Sequence, residues 1–188
     1  MGIKYPVYRK EATDIEKKAF RDDVAQRLQI LAQHYGQKGR KQVTPEQHVN
    51  NIEKLQKQLS RKWQKVLYPH RIKPTVGITF GRVQKLLNLY LKYYWVLGCV
   101  EEPPPHCPID SNVLKYIEQP KPTWTSPLFT KEVYLMDMEK CKEKAPEKMS
   151  IAEWELRMFN DTREEVSEIK KQRVKGVVHG WCLTILNL

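Results

Sequence analysis

Glycine is scarce, at eight of 188 residues, while leucine, lysine, glutamine and glutamate are abundant, a balance that favours helix over sheet. The four cysteines, Cys99, Cys107, Cys141 and Cys182, lack the short paired spacing of a zinc site or a dithiol redox motif. Cys99, His106 and Cys107 are three candidate metal ligands in one stretch, without a second pair. No iron–sulfur loop is present either, so no metal or cofactor is expected and the thiols read as reduced, in a cytoplasmic protein. Long apolar runs are missing too. Residues 86–100 form the longest, too short and too interrupted to span a bilayer, and residues 1–21 are too charged for a secretory leader. What remains has ordinary globular composition, 40% hydrophobic and 29% charged, in a length that suits a single domain. A chain of this size can bury roughly 70% of its extended surface, enough for a true core.

The net charge of +11 is concentrated. Residues 1–73 hold 17 basic and 7 acidic side chains, residues 74–122 hold 5 and 4, and residues 123–188 hold 11 of each. A solvated helical surface interleaves its signs, as Glu164, Glu165, Glu168, Lys170 and Lys171 do. The first third does not, and such a localised excess is the footprint of a nucleic-acid-binding surface. A merely soluble basic face or attachment to anionic lipid are the competing accounts. The basic helices lack the wide Trp/Phe/Leu insertion face of a membrane-surface binder, so DNA is the expected partner, with no membrane and a monomeric protein.

Helix signals punctuate the chain. Thr13 with Glu16 is a capping box, and Ala19, Phe20, Val24, Leu28, Leu31 and Ala32 carry helical spacing up to residue 35, before Gly36 and Gly39. Thr44, Pro45 and Gln47 open a second helix whose stripe is Val49, Ile52, Leu55, Leu59, Trp63 and Val66. Lys54, Lys57, Arg61, Lys62 and Lys65 lie on or beside its other face. Residues 68–79 read as a loop. A third helix over about 80–97 is apolar nearly all round and should be central, with Gly98 ending it. Four prolines make residues 99–110 an extended connection, and Asp110 stands where the N-cap of a short 111–118 helix belongs. Pro120, Pro122 and Pro127 mark a loop around Trp124. Helices follow over about 130–144 and, from the Ser150/Glu153 capping box, about 151–171, with an apolar tail over 174–188 expected as a helix or strand. The fold class is all-α: a basic region (1–73), a central region (74–122) and closing helices (123–188).

The central helix carries Lys85, Asn88 and Lys92 on one face of an otherwise apolar cylinder. Where the helix merely meets water, such a stripe has no chemistry, and Asp110 is merely a cap. Taken together, a lysine near the start of a central helix and an aspartate after a stiff connection can meet in one cleft. An amine shielded by Leu86, Leu87 and Leu89 can serve as a nucleophile, and the carboxylate can steer its proton or stabilise a cationic sugar.

The stretch FGRVQKLLNLYLKYYW followed by PPHCPIDSNVL resembles the lysine-helix and P-x-D elements of helix-hairpin-helix DNA glycosylases, nearest to the compact archaeal 8-oxoguanine DNA glycosylase branch. The likeness covers residues 77–118, with Gly77 and Gly81 standing four apart where the family has a Gly-hydrophobic-Gly turn. It implies that Lys85 attacks the sugar of a flipped nucleotide, that Asp110 assists, and that Asn88 and Leu89 line the base pocket. Gln84, His106 and Trp124 join that expected pocket. Trp95, Trp124 and Trp181 are stacking candidates or core residues. Lys57, Arg61, Lys62, Lys65, Arg71 and Lys73 are the expected DNA-backbone contacts. The function this implies is excision of a modified base, an oxidised purine or a phage-type modification, from double-stranded DNA. The alternative is a non-catalytic DNA- or RNA-binding helical module. A ribonuclease or toxin built on His34, His48, His70 or His106 is disfavoured, because no two of them share an acid–base spacing.

Overall fold

The computed structural model describes residues 6–35, 42–69, 77–119 and 123–167, except the side chains of 161–167. Six helices follow in order: α1 (Asp14–Ala32), α2 (Pro45–Lys62), α3 (Phe80–Val96), α4 (Ser111–Tyr116), α5 (Lys131–Lys144) and α6 (Ile151–Ser167). Among the described residues the only β pairing is one isolated bridge, Tyr8 to Leu67. The described residues are therefore all-α, and none of these helices is long and apolar enough to cross a membrane.

Local chemistry explains the starts of the first three helices. The Thr13/Glu16 and Thr44/Gln47 capping boxes are both formed in full, and Thr79 caps α3 by accepting from the Arg82 amide. Phe20, Val24, Leu28 and Ala32 point from α1 into the core at intervals of four residues, while Ile15 and Ile30 stay outside. From α2 come Val49, Ile52, Leu55 and Leu59, together with a fully buried His48 that its apolar stripe did not announce. Asp23 ties the two helices together. Burial alone would raise its carboxyl, yet hydrogen bonds from Lys62 Nζ (2.8 Å), Trp63 Nε1 (2.7 Å) and Arg27 Nε (3.0 Å) hold it below the ordinary range.

Helix α3 packs against both α1 and α2 and buries most of its circumference, as its apolar sequence predicts. It ends in a Schellman turn: Gly98 adopts φ 74°, and the Cys99 amide donates back to Tyr94 O at 3.0 Å. The following proline-rich connection is not a surface strap. His106, Cys107 and Ile109 are drawn into the interior beside α3. The expected apolar tail over 174–188, residues 168–171 of the expected last helix, and Arg71, Lys73, His70, Trp181 and Cys182 lie outside the described residues.

Helix α4 closes with the same Schellman hydrogen bond, Gln119 N to Leu114 O at 2.9 Å, but the residue at its left-handed position is Glu118, φ 56°. A side chain there costs about 1 kcal/mol relative to glycine. Its partner Lys144, 3.5 Å away, is solvent-exposed and offsets little of that. Glu118→Gly is expected to stabilise the fold by about 0.5–1 kcal/mol, read as a higher urea midpoint; a lower midpoint would rule out strain at this turn.

Candidate active site

Three elements converge on Lys85: its own helix α3, the N-terminus of α4, and the loop through Trp124. Its Nζ lies 3.3 Å from Asp110 Oδ2 and 4.5 Å from the centre of the Trp124 ring. Asp110 uses its two oxygens separately. Oδ1 accepts from the Asn112 and Val113 amides and caps α4, which leaves Oδ2 to face the amine. Trp124 is fixed from the same helix end, its Nε1 donating to Ser111 Oγ at 3.1 Å. The lysine and aspartate side chains remain 19% and 25% exposed, so the pair is shielded yet reachable.

Gly81 explains how the tryptophan comes so close. It stands one turn before Lys85 on the same face of α3, and the Trp124 carbonyl oxygen lies where any Cβ at residue 81 would sit. This glycine therefore serves close packing, letting the loop lie flat across the helix at the lysine.

Gln84, Asn88 and His106 are fully or almost fully buried, with hydrogen bonds committed to the protein. Gln84 brackets the Ile109 backbone, donating to its carbonyl at 2.6 Å and accepting from its amide at 3.0 Å. The Asn88 amide nitrogen lies within 3.1 Å of Cys107 O, Gln84 Oε1 and Tyr134 OH, which share its two protons. Its carbonyl oxygen receives His48 Nε2 at 2.7 Å. These residues hold the proline-rich connection against α3 and so set where Asp110 emerges; Leu89 is partly buried and Trp124 is buried. The stripe of Lys85, Asn88 and Lys92 does not simply meet water, since Asn88 and Lys92 are buried. Trp95 is half-buried, away from these contacts.

The network's donors assign its tautomers. Asn88 Oδ1 can only accept, so His48 carries a proton on Nε2 and gives it to Asn88; with Nδ1 then unprotonated in the dry interior, Tyr35 OH donates to Nδ1 while accepting from Asn51 Nδ2. Asn88 donates to Tyr134 OH, which donates in turn to His106 Nδ1. Burial disfavours a second proton on either ring, so both imidazoles are neutral. Burial lowers His48 to about 3, helped by the neighbouring His106, and lowers His106 to about 4.

A second ion pair lies seven residues along α3 from the first. Lys92 Nζ meets both carboxylate oxygens of Glu155, at 2.8 and 3.0 Å, over the Phe159 ring. Both side chains are about 5% exposed or less. Burial pushes the Glu155 carboxyl up despite the Lys92 ammonium, and it also feels the charges of Asp110 and Lys85. The two carboxylates and two lysines therefore form one electrostatic unit. The thiols of Cys107 and Cys141 touch in the same dry interior, where burial raises Cys107, while Cys99 is exposed. Among the described residues no three His, Cys, Asp or Glu side chains converge as a metal site. Of the expected backbone contacts, Lys57, Arg61 and Lys65 line a groove on the back of α2, whereas Lys62 turns away to Asp23.

No protein-family model, curated protein or solved structure matches this chain. The arrangement stands on its own geometry: a primary amine beside a carboxylate, under an aromatic face, on a rigid helix. Such a group can act as a nucleophile whose proton the carboxylate receives.

Two outcomes test this reading of the interior. Glu155→Gln leaves a buried ammonium without its counter-charge and is expected to cost about 3–5 kcal/mol in thermal or urea unfolding, most of it recovered in Lys92→Met/Glu155→Leu. A double variant no more stable than the single would sink it. The second outcome concerns protons. In the unfolded chain the two histidines titrate near 6.5, so the stability that their neutral burial contributes is complete above that pH and drains as pH falls toward 4. The Asp137 carboxyl, whose Oδ2 is buried without a hydrogen-bond partner, is raised by burial to about 6 and acts in the opposite sense between pH 6 and 4. Nitrogen resonances of the His48 and His106 rings should therefore stay in the neutral form down to pH 5; protonation of either ring above pH 5 would refute the network.

Proposed function

We propose that this chain is a DNA glycosylase with lyase chemistry, acting on a modified base flipped out of a duplex. The observation that carries the reading is the Lys85–Asp110 pair, at 3.3 Å and still partly accessible beside Trp124. The chemistry suits what base excision requires. A base inside a duplex is out of reach and must be extruded, at a cost of a few kcal/mol. Asp110 takes a proton from the Lys85 ammonium, freeing the amine's electron pair. The amine then attacks C1′ as the bond from C1′ to the base breaks, and the base departs with a proton. Asp110 hands the proton it took to the departing base, and the carboxylate so restored stabilises the positive charge on the sugar and its new nitrogen bond. One proton then passes from the nitrogen to O4′ as the C1′–O4′ bond opens, giving a protonated imine between Lys85 and C1′; loss of a C2′ proton from that imine expels the 3′ phosphate and cleaves the strand. Resemblance in the lysine helix and the P-x-D stretch points to the same reaction class, and the concentrated basic charge suits DNA as the partner.

The competing reading, a nucleic-acid-binding module without chemistry, takes Lys85–Asp110 as a structural ion pair. One experiment divides them. Duplexes carrying oxidised purines or phage-type modified bases are incubated with the protein and borohydride, which reduces an imine to a permanent adduct. The wild type is expected to form the adduct with at least one of these bases, and Lys85→Gln to form none. Asp110→Asn keeps an equally good N-cap and should change stability by less than about 1 kcal/mol, while slowing base release by about 10²–10⁴-fold. Binding without adduct or abasic product across the panel would leave only the binding module.

A further inference from the structure

The back of α2 carries a groove that the lysine chemistry does not use. Arg9, Lys57, Arg61 and Lys65 line it, with the amides of Gln56 and Gln64 between them, and no acidic side chain lies among its described lining residues. Lys57 and Arg61 stand one turn apart, about 6 Å along the axis, and Lys65 continues their row beyond the end of the helix. Lys57 has only a distant partner in Glu53, at 4.0 Å.

Arg9 is the unusual member. It arrives from the N-terminal segment, which is clipped to the end of α2 by Arg9 N to Val66 O and Tyr68 N to Val7 O, both 2.9 Å. Its side-chain Nε donates to Gln64 O at 3.2 Å and Leu67 O at 3.1 Å. The guanidinium is thus anchored through one nitrogen, while its two terminal nitrogens donate to no described residue. An arginine already immobilised in this way loses little further freedom when an anion arrives, and its planar fork suits two phosphate oxygens at once. Lys62, by contrast, is drawn out of the row by Asp23 at 2.8 Å and by the Trp63 ring.

We propose that this groove is a phosphate-backbone site for duplex DNA, with Arg9 as its fixed anchor and Lys62 outside it. The proposal rests on the preceding functional reading only for the identity of the partner, and it holds whether or not Lys85 excises a base. Charge complementarity favours DNA: a row of cations on a rigid helix matches a regularly spaced polyanion.

The test uses the full chain with Lys85→Gln, so that excision plays no part, and an undamaged duplex followed by fluorescence anisotropy from low to physiological salt. Arg61→Gln and Lys65→Gln should each weaken binding about 3–10-fold and reduce the slope of log affinity against log salt by about 0.9. Arg9→Lys keeps the charge but loses the anchored fork, so affinity should fall by a similar factor with the slope unchanged. Lys62→Gln should leave both quantities near the parent's. Melting temperatures identify any variant that fails to fold; Arg61, whose side chain is exposed, keeps the test decisive if Arg9→Lys does not fold. A loss from Lys62→Gln equal to that from Arg61→Gln, or tighter binding to phosphatidylserine vesicles than to the duplex, would overturn the proposal.

Discussion

An asparagine amide with no exposure to water needs all of its hydrogen bonds supplied by protein, and at Asn88 this requirement organises the molecule. One side of the amide is satisfied by the backbone of the proline-rich connection and by Tyr134 of α5, the other by His48 of α2. Three elements distant in sequence must therefore meet around one point on α3. Gln84 extends the arrangement by a turn, fastening Ile109 immediately before Asp110. A polar cluster of this kind is costly when any member is missing and directional when complete, so it favours one packing over nearby alternatives.

The two ion pairs along α3 show how depth changes the use of similar groups. Lys92 and Glu155 are both dry and bound through two close contacts, which suits a fixed internal cross-link between α3 and α6. Lys85 and Asp110 are longer, partly wet and roofed by an indole. A pair in that intermediate setting keeps its geometry and still admits a reactant, which is why the proposed chemistry is assigned to it. Gly81 and the two separately used oxygens of Asp110 supply the tolerance this needs, one by omission of a side chain and the other by division of labour between cap and amine.

The basic groove and the Lys85–Asp110 pair occupy different places. The groove of α2 is basic and open along a helix, while the lysine site lies in an almost neutral, apolar stretch of chain. Under the proposed function the first gives affinity without sequence preference and the second acts on a single nucleotide. Long-range attraction serves capture, whereas a partly desolvated amine serves attack, and the two demands conflict within one surface.

The helices were legible in the amino-acid sequence because their determinants are local. Capping boxes at Thr13 and Thr44, the cap at Asp110, the stop at Gly98 and the apolar spacing of α2 act within one or two turns, and they placed the helix boundaries to within a few residues. The pairing of Lys85 with Asp110 was also readable, because the stiff connection between them limits where the aspartate can emerge. Partners that meet across long separations were not. Nothing near Glu155 distinguishes it from the solvated glutamates around it until α6 packs onto Lys92, 63 residues away. His48 looked like one polar residue among many, and Gly81 like part of a turn, until the neighbours that bury them were in place. Local propensity thus determined the helices and the position of the lysine. Tertiary packing, by removing water from particular polar groups, decided which of them hold the fold and which stay free to act.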